Sequence, residues 1–326
     1  MYIEDLKFSL WADFIERDYL DNEFKELIDK KIINGATSNP AIFKNAILNS
    51  SAYKEQLASL ENLSSKEKYE AVAMYDIKKA ADILMPLYES GDDGFVSIEV
   101  DPYLCDNAEE TIAEGKRLFK EINRKNVMIK VPATEAGYIA MENLTSAGIP
   151  VNATLIFSKS QAISCAEAFK RGTDKFGSSV STVISIFVSR IDRALDKELA
   201  QNGIDVALSG IYNSADIYAQ IESMKVAGCR ALFASTGVKD DSLPAHYYIE
   251  QLLAYNSVNT APIDTIKAFD ANYTSKNALP ISAATIQEHF KKIADAGIDF
   301  DAIVEEQITD GLEAFKDAFK EILEAL

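Results

Sequence analysis

The sequence has few of the residues that bind metals or form disulfides. Its 326 residues include two histidines and three cysteines. Cys105, Cys165 and Cys229 form no CxxC pair, which is typical of isolated thiols in a reducing compartment. His246 and His289 are far apart in the chain, so a zinc site with several nitrogen or sulfur ligands is not expected. Neither histidine lies at a predicted strand end, which also disfavours a Ser-His-Asp triad.

Nucleotide motifs and excess positive charge are missing as well. Neither a GxGxxG turn nor a P-loop occurs, so we expect no cofactor. The formal net charge is −18, which disfavours nucleic acid and anionic membranes as partners but still permits a few cations in a cleft to bind a small phosphorylated molecule. No apolar run reaches membrane-spanning length, and the acidic N-terminus does not resemble a signal peptide. We therefore expect a cytoplasmic protein with no membrane partner.

Short apolar stretches alternate with helical patterns along the chain, the latter clearest at 65–88, 108–123, 158–176, 285–296 and 300–326. Such alternation predicts parallel βαβ units, and eight strands predict an α/β fold closed into a (β/α)₈ TIM barrel. An open doubly wound sheet, the alternative, normally carries the glycine-rich turn that is missing here. The predicted strands are 7–13, 34–39, 94–100, 126–133, 150–157, 181–190, 231–237 and 258–266.

Two connections are longer than a barrel requires. The segment 40–93 has room for at least two helices, and further helices follow the eighth strand. No linker or repeat divides the chain, so we expect one domain over residues 1–326. The amphipathic C-terminal helix can pack on its own barrel or on a neighbour, which leaves both a monomer and a homodimer open.

The fourth predicted strand contains a lysine among apolar residues, Lys130 in VMIKVPAT at 127–134. Desolvation disfavours the charged form of an amine, and a neutral amine can attack a ketone to form a Schiff base. The alternative is a structural lysine whose stem packs while its head reaches water.

Two carboxylates lie at other predicted strand ends, Asp13 on the first strand and Glu99 on the third. In barrel enzymes the active site forms at the carboxyl ends of the strands, where these side chains would meet Lys130. Schiff-base chemistry needs a base for a substrate hydroxyl and an acid for dehydration of the carbinolamine. The alternative roles are a helix-capping aspartate and a salt-bridged glutamate.

Amides and a cation complete the set of polar strand ends. Asn39 and Asn152 could donate to sugar hydroxyls, although the Asn-Pro pair at 39–40 is also typical of a turn. Arg190 is the candidate fork for a phosphate, with Ser185 as a hydroxyl donor.

Arg190 has an alternative role, and a second loop is also a candidate for phosphate binding. Arg190 could instead form a solvated ion pair with Asp192 or Asp196. The segment 235–239, which ends in Lys239, is typical of a second phosphate-facing loop.

Five blocks of this sequence together resemble the transaldolase family: ATSNP at 36–40, VSIEV at 96–100, IKVPAT at 129–134, VNATLIFS at 151–158 and ISIFVSR at 184–190. The resemblance implies a metal-independent enzyme that moves a dihydroxyacetone unit from sedoheptulose 7-phosphate to glyceraldehyde 3-phosphate, giving erythrose 4-phosphate and fructose 6-phosphate. It makes Lys130 the Schiff-base lysine, Asp13 the base on the C4 hydroxyl, and Glu99 an acid/base acting through a water that Thr154 also holds. Further substrate-binding roles follow for Asn39, Thr37, Ser97, Asn152, Ser185, Phe187 and Arg190.

The chain departs from the family pattern at the sixth strand and at the phosphate end. Ile186 and Ser189 stand where many members have proline and glycine, and a second phosphate arginine has no clear counterpart, which makes Lys239 the candidate replacement. A fructose 6-phosphate aldolase, which releases free dihydroxyacetone, is the nearest alternative function. A non-catalytic sugar-phosphate binding barrel is the other, although it would have no need for Lys130, Asp13 and Glu99 together.

Overall fold

The computed structural model describes residues 2–239, 242–269 and 278–326. Within these residues one sheet of nine strands contains eight parallel strands, β2 to β9, in chain order, and pairing of β2 with β9 closes the barrel. The predicted TIM barrel is confirmed. The strands are β1 Tyr2–Ile3, β2 Phe8–Ala12, β3 Gly35–Ala36, β4 Phe95–Glu99, β5 Val127–Pro132, β6 Val151–Ile156, β7 Thr182–Phe187, β8 Cys229–Ala234 and β9 Val258–Ala261.

Helices follow the barrel strands in the described chain. They are α1 Arg17–Asp21, α2 Glu23–Asp29, α3 Pro40–Asn49, α4 Lys54–Ser59, α5 Ser65–Ser90, α6 Ala108–Ile122, α7 Glu135–Ser146, α8 Lys159–Phe176, α9 Ser189–Gln201, α10 Ser209–Met224, α11 Tyr247–Gln251, α12 Ile263–Ala268, α13 Ala283–Asp295 and α14 Phe300–Ala325. Of the helices described, none is long and apolar enough to cross a membrane.

Several helices begin at a residue whose side chain caps the first turn, and this local signal is why the helical segments could be predicted from the sequence. The longest connecting helix, α5, begins with a capping box in which Ser64 and Glu67 bond each other's backbone amides. The helix is capped at its C-terminal end by Gly91, whose φ of 79° lies in the left-handed region that glycine adopts most easily. The segment between β3 and β4 contains α3, α4 and α5, in agreement with the expectation of at least two helices.

Several predicted strands are longer than the observed ones. The eighth stops at Ala261, because Pro262 cannot donate to the ladder and α12 begins directly after it. The sixth stops at Phe187, so Arg190 lies in the first turn of α9 and not on a strand. The short strand β1, which pairs antiparallel with β2, was not predicted because two residues give no periodic signal.

The C-terminal helix α14 packs on its own barrel, against α3, α5 and α9. Phe319 is buried and meets the ring of Tyr69 on α5 edge-to-face at 5.2 Å between centroids. Lys44 on α3 pairs with Glu321 at 3.0 Å, and Lys68 on α5 donates to the carbonyl oxygen of Leu326 at 2.6 Å. The helix was expected to pack either on its own barrel or on a neighbouring chain, and in this structure it packs on its own barrel.

Candidate active site

A cavity of about 240 Å³ opens at the carboxyl ends of the barrel strands. Most of the predicted site residues lie in its wall, which is formed by Asp13, Thr37, Asn39, Ala41, Lys130, Thr154, Ser185, Phe187, Arg190, Arg193, Ala234, Ser235, Lys239, Thr260 and Phe315. A larger groove of about 640 Å³ lies beside α8, α10, α13 and α14, but the ionisable residues in its wall are exposed or half-buried. Buried reactive groups therefore concentrate in the barrel cavity.

Lys130 lies near the end of β5 and is 5% exposed, so the surface-reaching alternative is wrong. Its Nζ donates to the carbonyl oxygen of Ser38 at 3.1 Å and lies 3.4 Å from Glu99 Oε2. Strand register explains the approach, because Glu99 and Lys130 are direct partners in the β4–β5 ladder. Side chains of register partners point to the same side of a sheet.

Glu99 is 7% exposed, and burial raises the pKa of its carboxyl group to about 7. The nearby charge of Lys130 opposes this rise, and the charge of Asp13 adds to it. Oε2 of Glu99 has no hydrogen-bond partner among the described residues. A carboxyl group that titrates near neutral pH can both give and accept a proton, which suits an acid/base. The salt bridge considered as an alternative exists, and Lys130 itself forms it.

Asp13 directly follows β2 and faces the cavity. Thr37 Oγ1 donates to its carboxylate at 2.7 Å, and Thr37 Oγ1 lies 2.6 Å from Thr260 Oγ1 on β9. Burial raises the pKa of Asp13, while the charge of Lys130 and the hydrogen bond from Thr37 oppose the rise. The aspartate bonds to a neighbouring strand end, and the helix that follows it, α1, is capped by Glu16 instead.

A chain of buried hydrogen bonds crosses three strands below the cavity. Ser185 Oγ donates to Asn152 Oδ1 at 2.6 Å, and Asn152 Nδ2 donates to Ser97 Oγ at 3.1 Å. Asn152 is the register partner of Lys130 on β6. Neither Asn152 nor Ser97 is in the cavity wall, so this chain holds the floor of the site beside Lys130.

Asn39 and Thr154 lie on either side of Lys130 in the cavity wall. Asn39 Oδ1 accepts from the backbone of Ile42 at 3.0 Å and caps α3, with Pro40 at the first helical position. Asn39 thus forms the predicted turn at the start of α3, and it also lies in the cavity wall, where its binding role stays a prediction. Thr154 Oγ1 is buried with no partner in the described part of the chain.

The backbone next to Thr154 is strained. Leu155 has a φ of 60°, in the left-handed region that non-glycine residues rarely adopt, and the β6–β7 register shifts between Ala153 and Ile156. Such outliers cluster at functional sites, where they aim a side chain.

Three cations meet at the mouth of the cavity: Arg190, Arg193 and Lys239. Arg190 is half-buried, and its guanidinium lies 5.5 Å from the ring centroid of Phe187. Burial and the charge of Arg193 lower the pKa of Arg190, and the charge of Asp310 partly opposes the fall. The carboxylate of Asp192, considered as an ion-pair partner of Arg190, instead accepts from the backbone of Gly210 and from the hydroxyl of Tyr248.

The two arginines occupy an unfavourable position for cations. Arg190 is the second residue of α9, near the positive end of the helix dipole, and Arg193 lies three residues further along the same face of the helix. An anion bound between the two guanidinium groups would offset their mutual repulsion and accept hydrogen bonds from them. The mouth of the cavity is therefore suited to a phosphate group.

Sequence reasoning missed several wall residues: Ala41, Arg193, Ala234, Thr260 and Phe315. Arg193 lies three residues after Arg190, a spacing that places both on one helix face, so it could have been found once a helix was predicted there. Phe315 gave no local signal, because it reaches the cavity from the C-terminal helix.

The comparisons with known proteins agree with this geometry. The family model described as "Transaldolase/Fructose-6-phosphate aldolase" matches residues 10–326. The chain belongs to this family. It is 47% identical over 331 residues to a "Transaldolase" of Campylobacter jejuni strain 81-176, covering 98% of this chain and 99% of that one. A "Transaldolase" of Helicobacter pylori strain Shi470 is 43% identical over 318 residues, covering 97% and 98%.

Among solved structures, a Haloferax volcanii malate synthase complex aligns at 13% identity with a TM-score of 0.27, covering 69% of this chain and 72% of that one, a likeness too low to support an argument. The family and its relatives confirm the predicted resemblance to transaldolases and the prediction of a transferase. They do not test the role of any single residue.

Proposed function

We propose that this cavity performs the transaldolase reaction, with Lys130 as the Schiff-base nucleophile, Asp13 as the base and Glu99 as the acid/base. The observation that supports it most directly is the buried Lys130 amine, 3.4 Å from Glu99 Oε2, in a cavity that Asp13 also faces. Sugar phosphates are the substrates that the family implies. The donor is sedoheptulose 7-phosphate, and the acceptor is glyceraldehyde 3-phosphate.

The reaction begins when Lys130 gives its proton to Glu99, 3.4 Å away, and the resulting amine attacks the C2 carbonyl carbon of the ketose. A C–N bond forms, and a proton passes from nitrogen to the former carbonyl oxygen, giving a carbinolamine. Glu99 in its acid form then donates a proton to that hydroxyl through a water, which Thr154 also holds, and water leaves to give the iminium. The raised pKa of Glu99, about 7, supports its holding that proton at neutral pH.

Carbon–carbon cleavage follows from the iminium. The Asp13 carboxylate removes the proton from the C4 hydroxyl, the C3–C4 bond breaks, and its electron pair moves into the iminium to give an enamine on Lys130. Erythrose 4-phosphate leaves. The enamine carbon then attacks the aldehyde carbon of glyceraldehyde 3-phosphate, Asp13 returns the proton to the new hydroxyl, and hydrolysis of the iminium releases fructose 6-phosphate and the free amine.

The remaining polar residues orient the substrate. The amide nitrogen of Asn39 binds hydroxyls of the dihydroxyacetone unit, and the Ser97–Asn152–Ser185 chain fixes the floor beside Lys130. Thr37 orients Asp13. The phosphate binds between Arg190 and Arg193 near the N-terminal end of α9, with Lys239 also in the cavity wall and the Phe187 ring next to the Arg190 guanidinium.

We further infer that residues 1–326 act as one catalytic domain, since the strands of the barrel extend from Phe8 to Ala261 and α14 packs back on the helices of the same chain. The choice between monomer and homodimer stays a prediction, which sedimentation would decide.

Borohydride trapping tests the proposed nucleophile. Reduction in the presence of fructose 6-phosphate should add a dihydroxyacetone-derived mass to Lys130 and inactivate the enzyme, because hydride converts the iminium to a stable secondary amine. Lys130→Arg should neither turn over nor form the adduct. Lys159→Arg, an exposed lysine of the larger groove, is the matched control and should behave as wild type. An adduct on another lysine, or none in the wild type, would overturn the proposal.

A further inference from the structure

The C-terminal helix places an aromatic ring directly against the reactive lysine. The centroid of the Phe315 ring lies 5.5 Å from Lys130 Nζ, and Phe315 is 6% exposed in the cavity wall. A cation within about 6 Å of an aromatic centroid is attracted by the face of the ring. The ring also occupies volume from which water could otherwise approach the amine.

Close packing at two neighbouring turns holds this ring in place. One turn before Phe315, a Cβ atom added at Gly311 would lie 3.1 Å from Leu155 Cδ2 and 3.5 Å from Arg190 Nη1, so α14 approaches the strand ends closely because this residue is glycine. One turn after it, Phe319 is buried against Tyr69. The ring is thus part of a fixed wall and not of a free terminus.

The lysine-bound enamine has two possible fates. It can attack an acceptor aldehyde, which completes the transfer. Alternatively, a proton from solvent adds to the enamine carbon to give an iminium, one water adds to the iminium carbon, and the carbinolamine collapses to the free amine and dihydroxyacetone. Both fates end with hydrolysis of an iminium, so they differ at the enamine carbon, which attacks the acceptor aldehyde in the first and takes a proton from solvent in the second. The rate of the second fate therefore depends on how well the site excludes water around the enamine.

We propose that Phe315 shields the lysine-bound intermediate from water and thereby favours transfer over release of dihydroxyacetone. This inference rests on the proposed function. The bulk of the ring acts on this choice, because it excludes water from the enamine; the attraction of its face for the cationic iminium acts at a stage that both fates share. The C-terminal helix therefore acts as a fixed wall that takes part in reaction specificity.

The test measures the ratio of dihydroxyacetone released to dihydroxyacetone transferred, with fructose 6-phosphate as donor and erythrose 4-phosphate as acceptor. Phe315→Ala should raise the ratio about three- to tenfold, because loss of the ring opens the enamine to water. Phe315→Leu keeps apolar bulk without the ring and should raise it less. Leu312→Ala removes a partly buried side chain from the same helix outside the cavity and should leave the ratio unchanged.

The outcomes separate this inference from the proposed function. If wild type and variants all form the borohydride adduct at Lys130 but share one ratio, Phe315 does not shield the intermediate and only this inference fails. If Leu312→Ala raises the ratio as much as Phe315→Ala, the effect comes from helix packing, which also overturns it. If the wild type forms no adduct, the proposed function fails instead.

Discussion

Glu99 Oε2 lies 3.4 Å from Lys130 Nζ because the two residues are register partners on adjacent parallel strands. The next residue in the same row is Asn152, the partner of Lys130 on β6. A carboxyl group, an amine and an amide thus come from one level of the barrel. Since side chains alternate along a strand, a shift of β5 by one residue would turn Lys130 out of the cavity.

The raised pKa of Glu99 should make the rate of Schiff-base formation depend on pH. Below about pH 7 the carboxyl group holds its proton and can serve as the acid for dehydration, and above this value it is ionised. We therefore expect the rate of borohydride-trapped adduct formation with dihydroxyacetone to include a step that falls as pH rises through about 7. Glu99→Gln should lower the rate and remove that step. A Glu99→Gln profile that keeps the same step would assign the titration to another group.

The roles proposed for Asp13 and Lys130 can be distinguished by the choice of substrate. Dihydroxyacetone has no C4 hydroxyl, so its Schiff base forms without the proton transfer proposed for Asp13. Asp13→Asn keeps an acceptor for the Thr37 hydroxyl and should leave the dihydroxyacetone adduct close to wild type. Turnover of fructose 6-phosphate should fall about 10²- to 10⁴-fold, the usual contribution of a positioned base. Equal losses in both measurements would place Asp13 in Schiff-base formation and not in cleavage.

Arg193 should act on the phosphate group alone. We expect Arg193→Leu to raise KM for glyceraldehyde 3-phosphate about three- to tenfold, a modest effect because the side chain is exposed. KM for unphosphorylated glyceraldehyde should not change. Arg171→Leu removes an equally charged residue that pairs with Glu142 outside the cavity, and it controls for the change in net charge. A rise in KM for both aldehydes would argue that Arg193 supports the fold of the cavity mouth instead.

Sequence reasoning reached the residues whose local pattern determines their position. Lys130, Glu99 and Asn152 lie on or at the end of strands with clear apolar patterns, so both the barrel and its polar strand ends could be predicted. Arg190 was placed on a strand, because an apolar run that enters a helix has no visible boundary when the cap has no side-chain hydrogen bond, as at Val188.

Contacts between distant segments were beyond prediction from one sequence. Phe315 enters the cavity from a helix whose pattern fits packing on any apolar surface, and only the tertiary arrangement brings it to Lys130. Thr260 bonds Thr37 across the closure of the barrel, a pairing that no spacing in the sequence reveals. Strand register and the closure of the barrel decide such contacts, and local secondary-structure propensity does not.

Ser185 offers a final test, because the structure and the family resemblance lead to different expectations. The resemblance implies that its hydroxyl binds the phosphate, whereas its proton is donated to Asn152 Oδ1 at 2.6 Å. The Ser185 hydroxyl has one proton, and this proton is already donated to Asn152. The hydroxyl can then only accept a further hydrogen bond, whereas a phosphate oxygen needs a donor. Ser185→Ala would leave the buried Asn152 oxygen unpaired, at a cost of about 1 to 3 kcal/mol. We therefore expect kcat/KM to fall roughly tenfold with phosphorylated and unphosphorylated acceptors alike, since the floor beside Lys130 serves both. A loss confined to glyceraldehyde 3-phosphate would restore the phosphate role.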